Sequence, residues 1–267
     1  MDDINYEKLY MINKILIILW FIRHPKFYLH FFSLIKRKFL FDHDTIERRS
    51  EARKWASLHS ISYNAAFKKL DMNGKKNGLD VDIINKANKI LNKSSTIMGG
   101  SAHVNLLYDS VKILNAKKVV ETGVAYGWSS LAILLAFKDK KDKDICKLFS
   151  VDMPYPLKKN EKDVGILVPK YLRKQWVLIR KPDNPGLVEA LKLAKNQIDL
   201  CHYDSDKSWW GRHFAYPILW RSLKSKGLFI SDDIQDNLYF YEFVKKKRLK
   251  FAVIKLNDKF IGLIRKP

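Results

Sequence analysis

From Lys117 onward the chain alternates short β-branched or apolar runs with helical stretches, and this order constrains the fold more than any other feature. The runs Lys118–Glu121, Leu148–Asp152, Gln175–Ile179, Ile198–Asp204 and Gly227–Asp232 read as strands. Between them, Ser129–Phe137, Leu187–Ala194 and Phe214–Leu223 read as helices. Phe251–Leu256 and Phe260–Arg265, joined by Asn257-Asp258-Lys259, read as a closing hairpin, so one of the two must run antiparallel. Repeated β-α units bury a sheet between two helical layers. The expectation is an α/β fold: a doubly wound sheet of seven strands, mostly parallel with one antiparallel strand.

An open sheet of this kind binds ligands outside the carboxyl ends of its strands. There the sequence places Glu121, Asp152, Asp204 and Asp232-Asp233, all at one edge. The first strand runs into Glu121-Thr122-Gly123-Val124-Ala125-Tyr126-Gly127, with small residues at alternate positions. Such residues let the backbone turn sharply and let a ligand approach it closely. The helix beginning near Ser129 offers free N–H groups to an anion. A carboxylate at Asp152, ending the next strand, can accept both hydroxyls of a ribose. The plainer alternative is a glycine turn that serves packing alone.

On these residues, the stretch from about 95 to 267 resembles the class I S-adenosylmethionine-dependent methyltransferases, whose sheet is Rossmann-like. Their first motif is an acid followed by alternating glycines; their second is an acid ending strand two. The resemblance implies that Glu121, Gly123, Gly127 and Ser129 line the methionine part of S-adenosylmethionine and that Asp152 takes the ribose. Ala125, also assigned to the cofactor, stands where the family usually has a middle glycine. A dinucleotide loop would read G-x-G-x-x-G, whereas this one reads G-x-A-x-G. Met98-Gly99-Gly100-Ser101 lies where the family folds a segment over the methionine, which makes Gly100 a further cofactor candidate; a simple interhelix turn is the alternative.

Strand four ends in His202-Tyr203-Asp204-Ser205-Asp206-Lys207 and strand five in Ser231-Asp232-Asp233. Carboxylates converging at one edge repel unless something positive joins them, and hard cations such as Mg²⁺ take oxygen ligands. The pattern resembles the cation-dependent O-methyltransferases of the catechol and caffeoyl-coenzyme A type. That resemblance makes Asp204, Asp232 and Asp233 the metal ligands. It makes Lys207 the base that removes the acceptor's hydroxyl proton, with a nearby cation depressing its pKa. His202 and His103 are the alternative bases. The competing reading of the acids is that they cap the following helices. Asp163–Pro169 and Leu172–Trp176 are similar to an insert in a bacterial branch of the superfamily with diverse acceptors, including sugars, glycan precursors and secondary metabolites. Arg180-Lys181-Pro182-Asp183 replaces that family's usual Gly-Asp or Gly-Ser, leaving the adenine contact open. Trp209-Trp210, with His213 and Phe214, is expected to border the acceptor pocket.

The 267 residues carry 50 Lys and Arg against 28 Asp and Glu, a formal charge of +22. Such an excess attracts anions: nucleic acid, an anionic membrane surface or an acidic substrate. It is dispersed, and lysine-rich composition without a partner explains it equally well. A nucleic-acid methyltransferase is the alternative function, but its Asn/Asp-Pro-Pro-aromatic motif is missing after strand four, so the sequence speaks against nucleic acid. Residues 1–70 read as an N-terminal helical extension and 71–267 as the methyltransferase domain. Ile15–Ile22 is an uncharged run of eight, too short to span a bilayer core that needs roughly 20 apolar residues. The helices on either side of His24-Pro25 carry aromatics beside Lys36-Arg37-Lys38, which suits an anionic membrane surface bound through residues 12–40, packing on the catalytic domain, or packing on a second subunit in a homodimer. A non-catalytic membrane-surface protein with a degenerate fold is the remaining alternative. Cys146 and Cys201 lie in apolar runs and read as reduced core residues. The expected location is the cytoplasm, peripheral at the inner face of the membrane if the extension binds lipid. The acceptor is expected to be a small molecule or a glycan.

Overall fold

The computed structural model describes residues 2–94, 96–101, 103–138, 140–156 and 160–267, with side chains from residue 12 onward. The chain divides into two compact units, residues 1–42 with 154–162, and residues 43–153 with 163–267. In the first, α1 (Asp2–Ile22) and α2 (Tyr28–Arg37) flank one 3₁₀ turn that starts at Pro25. Proline cannot donate within a helix interior, so α1 stops before it. The elbow is fixed by ring stacking: Trp20 lies 4.2 Å from His24 and 5.2 Å from Phe27, and Phe21 lies 4.8 Å from Phe31. Ile15, Ile22, Leu29 and Phe32 remain exposed.

The second unit runs α3 (Ile46–His59), β1 (Ser60–Ile61), α4 (Tyr63–Lys69), α5 (Val81–Leu91), α6 (Val104–Ile113), β2 (Lys118–Thr122), α7 (Trp128–Lys138) and β3 (Lys147–Val151). It continues with β4 (Trp176–Ile179), α8 (Asp183–Leu193), β5 (Ile198–Tyr203), α9 (Trp209–Ser222), β6 (Leu223–Ser231), α10 (Tyr239–Lys246), β7 (Phe251–Leu256) and β8 (Lys259–Arg265). The sheet order is β1-β7-β8-β6-β5-β2-β3-β4. Pairings are parallel except those of β8 with β6 and β7, as the closing hairpin requires. The sheet has eight strands rather than the seven expected. The addition is β1, whose two residues pair with Val253 and Ile254 of β7.

Both sheet faces are buried, which is why the strands read as continuous apolar runs. One core packs α4 to α7 against the sheet through residues such as Phe67, Leu107, Leu131 and Phe137. The other packs α3, α8, α9 and α10 through Leu187, Tyr216, Phe240 and Phe243. Helix α7 lies in the first core with nearly all its residues buried, so it is apolar all round rather than striped. Cys146 and Cys201 are both free and buried.

Strand β2 pairs with β3 on one side and β5 on the other, so the direction of winding reverses between β2 and β5. The register levels the strand ends there: Glu121 faces Ser150 and His202, and Tyr203 faces Ser231. The last ladder bonds come from Gly123 N to Val151 O (2.8 Å), Asp204 N to Thr122 O (3.0 Å) and Asp232 N to Tyr203 O (3.0 Å). The acids therefore leave the sheet together.

Candidate active site

The glycine loop after β2 is shaped by close approach. Gly123 has φ +81°, and a Cβ there would lie 2.2 Å from the Asp204 carbonyl oxygen. Gly127 has φ +90°, with Gly165 Cα 3.0 Å from where its Cβ would be. Ala125 is also left-handed, at φ +48°, a conformation that costs an alanine roughly 1–2 kcal/mol. Backbone bonds from Gly165 N to Ala125 O (2.9 Å) and from Leu167 N to Tyr126 O (3.1 Å) hold it there. The insert around Asp163–Pro169 thus buttresses the loop. Asp163 itself accepts from Ser94 (3.1 Å) and Thr96 (2.8 Å), and Tyr126 Oη donates to the Thr96 carbonyl.

Glu121 is completely buried beneath this loop. Its Oε1 accepts from Ser130 and, at 2.6 Å, from Ser150, while Oε2 has no hydrogen-bond partner. Burial pushes its pKa up against the serine hydrogen bonds. Ser129 stands in the first turn of α7, where N–H groups are free of helix partners. Asp152 follows β3, accepts from Val124 N at 3.3 Å and pairs with Arg180. Burial pushes its pKa up to about 6, with Arg180 opposing. Arg180, where the resembled family has Gly-Asp or Gly-Ser, therefore has a definite place, on Asp152. Gly100 lies on an exposed segment between α5 and α6, with open space where a Cβ would go.

The acids at the ends of β5 and β6 sort into two groups. Lys207 bridges Asp204, at 3.1 Å, and Asp233, which also faces Lys259 at 3.3 Å and accepts from Gln235 at 3.1 Å. Those cations hold the Asp233 carboxyl below its ordinary range although burial acts against them. Asp204 is pushed up to about 6 by burial and by the negative charge of Asp232. The two acids outweigh desolvation at Lys207 and raise its pKa, so it stands as an ammonium here, not as a free base.

Asp232 belongs to the other group. Its Oδ1 is 2.8 Å from His103 Nε2 and 3.6 Å from His202 Nε2, and the two nitrogens are 3.2 Å apart. All three residues are buried. Desolvation of Asp232 is overcome by the two imidazoles, and its pKa is lowered. Among the described residues, this trio brings its ligand atoms onto one point; Asp204, Asp232 and Asp233 do not. The sequence argument that converging acids need a cation overlooked the chain's own cations, which sit among them. Neither His103 nor Asp232 belongs to a motif that shows their meeting, since it depends on how the N-terminus of α6 docks on the sheet.

Behind the acids, Arg212 is fully buried and its Nη2 donates to the carbonyls of Asp232 (3.0 Å) and Asp233 (2.7 Å). It fixes the turn in which Asp233 takes φ +48°. Trp209, expected to border the acceptor, is half-buried: His43 stacks on it at 3.8 Å, His213 at 4.7 Å, and its indole N–H donates to Glu242 at 2.8 Å.

Residues 120–234 match a family model described as a methyltransferase domain. Among solved structures, an O-methyltransferase from Bacillus cereus in complex with SAH is 13% identical, the match covering 79% of this chain and 100% of that one at a TM-score of 0.52. The O-methyltransferase TomG from Streptomyces achromogenes, in complex with SAM, is 11% identical over 85% of this chain and 100% of its own, with a TM-score of 0.52. The SAH-bound methyltransferase PaMTH1 from Podospora anserina is 12% identical over 84% and 97%, with a TM-score of 0.53. At these identities the likeness is one of fold. No curated protein sequence matches the chain.

Proposed function

On the premise of a methyltransferase domain at residues 120–234, we propose that this protein transfers the methyl group of S-adenosylmethionine to an acceptor hydroxyl. The observation that carries the reading is the cradle at the β2/β5 switch. Gly123 is pressed against Asp204, the N-terminus of α7 lies beyond it, and Asp152 sits at the tip of the neighbouring strand. In this reading Asp152 accepts from the ribose, Gly123 to Ser129 hold the methionine end, and the acids of β5 and β6 face the acceptor. Transfer to oxygen is supported by the similarity to proteins described as O-methyltransferases. Calorimetry with S-adenosylmethionine tests it: binding is expected in the wild type and its loss in Asp152→Ala. A wild type that does not bind the donor would overturn the proposal. Methyl transfer assayed on phenols, glycans and RNA then reads the acceptor class, with incorporation confined to RNA contradicting the hydroxyl small-molecule or glycan assignment.

A divalent cation belongs to the proposal, because buried acids and imidazoles meet beside the acceptor position. When bound, it would lower the pKa of the acceptor hydroxyl. Lys207 holds Asp204 and Asp233 as an ammonium in the resting protein, so it must first lose a proton before it can act as the base. Turnover is expected to stop in EDTA and return with added divalent metal; full activity in EDTA removes the cation from the reading.

The amphipathic elbow is proposed to rest on an anionic membrane. Among the described residues no single helix is long and apolar enough to cross one; only the bent pair of residues 12–22 and 25–37, at 105°, is apolar enough in combination. Leu29 is 89% and Phe32 60% exposed, with Lys36 and Arg37 on the same helix. Vesicles rich in phosphatidylserine are expected to float the protein, and Leu29→Asp/Phe32→Asp to abolish this. Concentration-dependent dimerisation lost in the same variant, without flotation of the wild type, would assign the surface to a second copy.

A further inference from the structure

We propose that His103, His202 and Asp232 form a binding site for a divalent transition-metal ion, distinct in donors from the all-carboxylate set expected of the sequence. The use of such an ion in catalysis rests on the methyl-transfer reading; the site itself rests on its geometry. The three ligand atoms form a triangle with edges of 2.8, 3.2 and 3.6 Å. Metal–nitrogen and metal–oxygen bonds of about 2.1 Å separate neighbouring ligands by roughly 3.0 Å in octahedral and roughly 3.4 Å in tetrahedral geometry. The observed edges span these values. They come from three elements: the loop before α6, β5, and the turn after β6.

Protons alone serve these groups poorly. A bond between the two Nε2 atoms requires one to donate and the other to present a lone pair. With His103 donating to His202, Asp232 Oδ1 receives no aligned hydrogen bond although it is buried. Protonating both Nε2 atoms sets two N–H groups against each other at 3.2 Å. A cation at the centre takes both lone pairs and the carboxylate oxygen at once. It also places a hydrogen on His202 Nδ1, whose register partner across β2 is Glu121, with an unpartnered buried Oε2. A metal-bound histidine ordinarily has a carboxylate or carbonyl on its other nitrogen, and Glu121 stands on the neighbouring strand at the register of His202.

Two imidazoles and one carboxylate suit Zn²⁺, Co²⁺, Mn²⁺ or Fe²⁺ and are a poor match for Mg²⁺, which prefers oxygen and keeps its waters. Three protein ligands leave positions open.

Co²⁺ is the probe. Full-length protein stripped with EDTA is titrated with Co²⁺ and followed by visible absorption and equilibrium dialysis. One Co²⁺ per chain is expected, displaced by Zn²⁺ and not by a hundredfold excess of Mg²⁺. His103→Gln and His202→Gln are each expected to weaken binding at least tenfold, whereas His59→Gln, an exposed histidine elsewhere, keeps it. Should a variant unfold, the wild type still decides: paramagnetic NMR of the Co²⁺ form is expected to show two exchangeable imidazole N–H signals. Stoichiometry unchanged in both variants, displacement by equimolar Mg²⁺, or absence of those signals overturns the proposal. Donor calorimetry on the same samples keeps the two readings apart. Co²⁺ binding without S-adenosylmethionine binding would leave the metal site and sink the transferase reading, and the reverse result would do the opposite.

Discussion

Gly123→Ala sets a methyl carbon 2.2 Å from the Asp204 carbonyl oxygen, 2.9 Å from its carbonyl carbon and 3.5 Å from Ser205 N. The obstacle is backbone at the end of a central strand, so no side chain can swing away. Two costs add. A non-glycine residue at φ +81° costs roughly 1–2 kcal/mol. Forcing an extra carbon into a packed site costs typically about 1–3 kcal/mol. The total is about 2–5 kcal/mol, which in a unit of this size lowers Tm by about 4–20 °C. The nearest control is Ala125→Gly, two residues on. There glycine removes the left-handed penalty of about 1–2 kcal/mol and adds unfolded-chain entropy of about 0.4–1 kcal/mol, so Tm should rise by a few degrees at most. Scanning calorimetry measures both, and isothermal calorimetry follows the donor. Gly123→Ala should also weaken S-adenosylmethionine binding by tenfold or more, because Asp204 and the loop are displaced together. A Tm within 2 °C of wild type would show that the close approach does not shape the loop.

Three further outcomes follow from the site's electrostatics. In the proposed reading Asp152 accepts from two hydroxyls as a carboxylate, so with its pKa pushed up to about 6 in the free protein, donor binding should weaken as pH falls through that value; Arg180→Gln removes an opposing positive charge, so the calorimetric midpoint should move to higher pH, and an unmoved midpoint would remove Arg180 from the account. Asp233 is held below its ordinary value of 3.8, so its pairing contributes stability above that pH and loses it as pH falls through the depressed pKa; Lys207→Met should cost about 1–3 kcal/mol at pH 7 and progressively less below pH 4, and a pH-independent loss would count against the pair. Arg212→Met removes a charged donor from two buried carbonyls and leaves Asp233 O with Asp236 N at 3.0 Å and Asp232 O with Ser231 Oγ at 3.4 Å; a hydrogen bond to a charged group contributes about 1.5–3 kcal/mol, which urea unfolding should register as a loss of at least that size, and an unchanged stability would show that the turn after β6 stands without it.

The parallel sheet was legible because strands buried on both faces must be apolar throughout, and the acids that end them stand out against such runs. Lys118–Glu121, Ile198–Asp204 and the closing hairpin lie within a residue or two of β2, β5, β7 and β8. Weaker signals were missed. Strand β1 has two residues and no period. Helix α9 begins at Trp209 rather than Phe214, because Ser208 Oγ caps it by accepting from Gly211 N at 3.0 Å and Pro217 is tolerated inside it. Helix α8 begins at Asp183, four residues before the expected start at Leu187, with Pro185 tolerated in its first turn. Helix α10, rich in aromatics, gave no helical signal that outweighed its surroundings. In the site, motif spacing reached Gly123, Asp152 and Asp204, each fixed by one strand and its following loop. It could not reach the meeting of His103 with His202, 99 residues apart, or the screening of Asp204 and Asp233 by Lys207. Those depend on docking and on side-chain direction.

Glu121 and His202 occupy one rung between β2 and β5. That rung sets a residue of the proposed donor side beside a ligand of the proposed metal site, so a coupling between the two would have a short path. Coupling free energies are reciprocal. Whatever factor a bound cation imposes on the affinity for the methyl donor, the donor must impose on the cation. Under the proposed coupling, the order of loading is a matter of concentrations in the surrounding solution.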